Sequence, residues 1–101
     1  MYARVSTWEG TQPDAAKQAG EQIRSSDGPP EGVPSVGITM LFDEKSGRSM
    51  AIALFETEDD LRKGDETLNG MTPPSGDGAG RRTSVDFYEV VVDRRLSGAS
   101  A

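Results

Sequence analysis

Residues 35–55, SVGITMLFDEKSGRSMAIALF, decide how this chain folds. Two apolar runs, 35–43 and 49–55, flank Glu44-Lys45-Ser46-Gly47, a four-residue loop with glycine at its end. That is the pattern of a β-hairpin. The second run carries a further message. Met50, Ile52 and Leu54 point one way and Ala51, Ala53 and Phe55 the other, and neither set is polar. A half-buried strand alternates apolar with polar residues. This one asks for cover on both faces.

Working outward, residues 1–8, MYARVSTW, mix β-branched and aromatic residues in alternation and read as a first strand. Thr11, Pro13 and Asp14 then form a helix start resembling a capping box, with the helix reaching about Arg24. Ala16, Ala19, Gly20 and Ile23 make one face of that helix small. Such a face permits either close packing on a sheet or a cavity. SSDGPPEGVP follows as a loop.

Beyond the hairpin, Thr57 with Glu58, Asp59 and Asp60 starts a second helix, whose stripe is Leu61, Gly64, Leu68 and Met71. It stops near Pro73-Pro74, and TPPSGDGAGR reads as a mobile loop. Residues 83–92, TSVDFYEVVV, form a last strand. The order β-α-β-β-α-β predicts an α+β, ferredoxin-like domain: an antiparallel four-stranded sheet with two helices on one face. Residues 1–93 form this domain and 94–101 a flexible C-terminal tail. The two helices can cover only one sheet face. The other predicts a homodimer, two sheets packed face to face about a two-fold axis.

Composition narrows the partners. The 101 residues have a formal net charge of -6, which opposes binding to nucleic acid or to anionic membranes. Leu, Ile, Val and Phe total 18 residues, a small share, but 13 of them fall in the four strand runs, so the chain reads as folded. Histidine and cysteine are both absent, which excludes Ser-His-Asp and Cys-His catalysis, disulfides and the usual zinc sites. The first residues lack the apolar stretch of a signal peptide. No segment approaches the roughly 20 apolar residues of a membrane helix. A cytoplasmic protein without metal or cofactor is expected.

The order of elements, the doubly apolar sheet and residues 41–61, LFDEKSGRSMAIALFETEDDL, resemble the dimeric α+β barrel superfamily. Within it the likeness is to antibiotic-biosynthesis-monooxygenase-like proteins. The matching features are Asp43 and Gly47 in the hairpin turn, and Phe55-Glu56 before the helix start at Thr57. The resemblance implies a dimer and, in oxygenating members, chemistry without metal or flavin, in an apolar pocket whose donors stabilise a developing oxyanion. Carried to this chain, those donors would be Trp8, Tyr2, Arg4 and Asn69, with Tyr88 as a further hydroxyl. Tyr88, Phe55 and Met40 would line the pocket. The haem-degrading branch uses a tryptophan where this chain has Phe55 and a histidine near Asp65, so haem is not expected.

Tyr2, Arg4, Ser6 and Trp8 share one face of the first strand, an amphipathic row suited to a pocket wall or to a packed interface. Three function classes follow. They are a small-ligand-binding dimer taking a hydrophobic or aromatic molecule, a cofactor-independent monooxygenase acting on a phenolic substrate, and a structural or interaction module. Glu58, Asp59 and Asp60 favour the helix start they occupy rather than a metal, because adjacent helical carboxylates diverge. Gly76-Asp77-Gly78-Ala79-Gly80 lacks the strand before it and the lysine after it that a phosphate loop needs.

Overall fold

The computed structural model describes residues 1–71, 76–94 and 96. Its elements follow the order β1 (Tyr2–Glu9), α1 (Pro13–Arg24), β2 (Gly37–Asp43), β3 (Arg48–Phe55), α2 (Glu58–Asn69), a one-turn 3-10 helix η1 (Gly76–Ala79) and β4 (Arg81–Glu89). The strands form one antiparallel sheet in the order β2-β3-β1-β4. This is the ferredoxin-like α+β fold that the pattern predicts, with β1 and β3 at the centre. The tail reading for 94–101 falls almost wholly outside the described residues.

Register sorts the side chains between the two faces. Arg4 lies opposite Ala53 on β3 and Phe87 on β4, and Ala53 lies opposite Ile38 on β2. Tyr2, Ser6, Trp8, Ala51, Phe55 and Met40 therefore share the face of Arg4. That face meets the helices. Val5, Ile52, Leu54, Met50, Leu41 and Tyr88 lie on the opposite, outer face, which no element among the described residues covers.

The core is a small cluster of Val33, Ala53, Phe55 and Leu61, with Tyr2 and Leu68 packed against it. Phe55 is fully buried. Gly64 makes this possible: a Cβ there would stand 2.5 Å from Phe55 Cε1 and 2.7 Å from its Cζ. The glycine in the stripe of α2 is a seat for the Phe55 ring. Thr57 caps α2 as expected, accepting from the Asp60 N–H at 3.1 Å. The helix ends at Asn69, so Met71 lies beyond the stripe rather than in it.

Two local expectations are corrected. Thr11 does not cap α1, because Gln12 is the residue at the cap position and its side chain makes no cap bond. The Thr11 hydroxyl instead donates to the Ala79 carbonyl at 2.7 Å, which leaves Ser49 Oγ as the donor in the 2.7 Å bond between those two hydroxyls. The described part of the expected mobile loop is anchored. Gln12 N–H donates to the Gly78 carbonyl at 3.0 Å. Gly80, at φ +86°, lies so close to β1 that a Cβ would stand 2.2 Å from the Glu9 carbonyl oxygen. The turn η1 is thus tied to both β1 and the start of α1.

Candidate ligand cavity

The helices do not sit equally on the sheet. α2 packs on β1 and β3, whereas α1 makes its main contact with η1 and stands away from the strands. The small face of α1 therefore marks a cavity rather than close packing. This space between α1, the sheet and the end of α2 has a volume of about 830 Å³. Ligand pockets typically span ~300–1,000 Å³. Its apolar wall includes Ala16, Ala19, Ile23, Ile38, Met40 and Ala51.

The polar wall comes from the β1 row. Arg4, Ser6 and Trp8 line the cavity, joined by Asn69 from α2 and Arg82 from β4. Arg4 is only 5% exposed. Its Nε donates to Asp65 Oδ1 at 2.8 Å and its Nη2 to Asn69 Oδ1 at 3.2 Å. Burial of the guanidinium is tolerated because a carboxylate and an amide oxygen both meet it. Asn69 Oδ1 also accepts from Arg82 Nη1 at 2.8 Å, so one amide oxygen bridges two guanidinium groups. Asn69 Nδ2 donates to Asp65 Oδ2 at 3.3 Å. The Trp8 indole N–H donates to Ser6 Oγ at a long 3.4 Å.

Arg82 reaches this wall through a bulge. Thr7 pairs with Ser84, but Trp8 pairs with Arg82, which leaves Thr83 as the extra residue. In an unbroken ladder Trp8 would face Thr83, and Arg82 would point to the outer face. A period-two pattern cannot announce a one-residue slip, so Arg82 was not legible as a wall residue.

Of the residues expected at a site, Arg4, Trp8, Asn69 and Met40 meet at the cavity. Tyr2 shares their face but packs against the core cluster. Phe55 lies in that core, beneath Gly64. Tyr88 pairs with Ala3 and so lies on the outer face, 56% exposed. Asp65, placed by the sequence near a haem-ligand position, is taken up by Arg4.

Glu58 pairs with Arg62 at 2.6 Å on the exposed side of α2. Among the described residues no cluster of three or more acidic, histidine or cysteine side chains is arranged to hold a metal ion. Among them, too, no helix is long and apolar enough to cross a membrane.

No family model matches the chain, and no curated protein matches it in sequence. Among solved structures, the chain is similar to a Deinococcus radiodurans protein provisionally named an antibiotic biosynthesis monooxygenase. The match covers 97% of this chain and 100% of that one, with a TM-score of 0.49 and 11% identity.

Proposed function

We propose that the protein is a homodimeric small-ligand-binding domain that holds an apolar or aromatic molecule beneath α1. The observation that carries this reading is the cavity itself. A fold this small has every incentive to close its core, yet α1 stands off the sheet over a wall of alanines, Ile38 and Met40. Side chains packed solid there would have favoured a structural module instead.

The dimer part of the proposal rests on the outer sheet face. Leu41 is 48% exposed and Tyr88 56%, with Val5, Ile52 and Leu54 between them in register. A second copy offers the same surface and meets it about a two-fold axis. Native mass spectrometry on freshly purified protein tests both parts. The expected spectrum is a dimer whose mass rises when 1-octanol is added. A monomer at micromolar concentration would contradict the sheet-to-sheet assembly, and a dimer that takes up no octanol would contradict the ligand site.

A second reading has one observation in its favour: Arg4, Trp8 and Asn69 put donors on a single cavity wall. A phenolic ligand held there would react with dioxygen to give a quinone and water, one oxygen atom entering the ring and the other leaving as water. Oxygen uptake with polycyclic phenols checks this, and Trp8→Phe slows it if the indole stabilises the oxyanion. An unchanged rate would remove Trp8 from that chemistry.

A further inference from the structure

The wall built by the β1 row and Arg82 is made almost wholly of donors, while the acceptor side chains Gln22 and Asp27 belong to α1 and the loop after it. Arg4 and Arg82 have only N–H groups to offer. The Trp8 indole is donor-only as well, and the Ser6 proton finds no acceptor among the described residues. The acceptors near them are already engaged: Asp65 meets Arg4 and Asn69, and Asn69 Oδ1 takes both guanidinium groups. A ligand approaching this wall must bring acceptor oxygens of its own.

Charge points the same way. Asp65 balances Arg4, but Arg82 pairs with no carboxylate among the described residues and donates only to a neutral amide oxygen. Asp27 is a carboxylate on the lining and belongs to the exposed loop that follows α1. Arg82 pairs with Trp8 in the sheet, and its exposed guanidinium reaches Asn69 at the end of α2. Arg82 thus adds to the cavity a positive charge that no carboxylate among the described residues pairs, in a chain whose net charge is -6.

From the donor-only wall and the unmatched Arg82 charge, we propose that the cavity takes an apolar molecule bearing one carboxylate, with the carboxylate against Arg82 and the β1 row and the apolar body under α1. This rests on the reading of the cavity as a ligand site. Arg82 is the specificity-determining residue, and the bulge at Thr83 is the device that delivers it to the wall.

Matched probes test this: octanoate and 1-octanol, titrated against the fluorescence of Trp8, the single tryptophan and itself a lining residue. Octanoate is expected to bind at least about tenfold more tightly, the factor a charge-assisted hydrogen bond supplies. Arg82→Gln should remove most of that preference, whereas Arg82→Lys should keep part of it. Equal binding of the two probes to the wild-type protein would overturn the carboxylate proposal while leaving the ligand site standing. Binding of neither probe would overturn the ligand site and this proposal together. A preference that survives Arg82→Gln would overturn the assignment to Arg82.

Discussion

Arg4 on the central strand and Asp65 on α2 are joined by a 2.8 Å hydrogen-bonded ion pair across 61 positions of sequence. The contact does two things at once. It fastens α2 to the sheet, and it fixes a guanidinium at the cavity wall in one orientation. A surface pair is worth little, but here the Arg4 side chain is only 6% exposed, so loss of its partner leaves a charge poorly solvated.

Asp65→Asn is accordingly expected to destabilise the protein by about 2 kcal/mol, less than a fully buried pair would cost because Asp65 keeps some contact with water. Urea unfolding of the single variant and of Arg4→Met/Asp65→Leu checks it. The double variant should recover much of the loss, since it removes both charges. A single variant as stable as the wild type would show that the pair fastens nothing.

Gly64→Ala is a sharper test of the core. In an ordinary helix interior this change stabilises by up to ~1 kcal/mol. Here the new methyl would stand 2.5 Å from the Phe55 ring, so the expected sign is reversed. A loss of about 1–3 kcal/mol, as for other overpacked cores, should appear in thermal or chemical unfolding. Gly64→Ala combined with Phe55→Leu should recover part of it.

Gly80→Ala should unfasten η1. Its positive φ disfavours any side chain, and the added Cβ meets a backbone oxygen that cannot swing away. The expected result is faster amide hydrogen exchange at Gly78 to Gly80 and lower stability. Unchanged exchange would mean that the Thr11 hydroxyl and the Gln12 N–H hold the turn without the close approach of Gly80.

How much of this was legible in the sequence depends on the range of the interaction. The four strands and two helices follow from periodicity and caps, which are local, and their observed bounds differ from the expected ones by a few residues at most. The face shared by Tyr2, Arg4, Ser6 and Trp8 was equally readable, since a strand alternates strictly. What sat on that face was not. Tyr2 and Phe55 went to the core rather than to the cavity, Phe55 because Gly64 on the following helix leaves room for its ring. Tyr88 went to the outer face because β4 aligns it with Ala3. Arg82 joined the wall because of a bulge that leaves no signature in composition. The role of Thr11 was hidden for a similar reason, as its partners Ser49 and Ala79 are far away in sequence.

The outer face gives a prediction of its own. Ile52 lies at its centre, opposite Val5 and Thr39. Ile52→Lys should yield a folded monomer by light scattering, with the far-ultraviolet circular dichroism of the wild type. A variant that remains a dimer would move the proposed interface away from this face.

The central claim, that the space under α1 is a ligand site, is tested most directly by amide NMR of the wild-type protein titrated with 1-octanol. Shifts should concentrate in Arg4 to Trp8, Ile38 to Met40, Ala51 to Ala53 and Ala16 to Ile23, which line or flank the cavity. Ala51→Phe, which fills that space, should abolish them without unfolding the chain. Shifts confined to outer-face residues such as Leu54 and Tyr88, or identical shifts in the filled variant, would contradict the account.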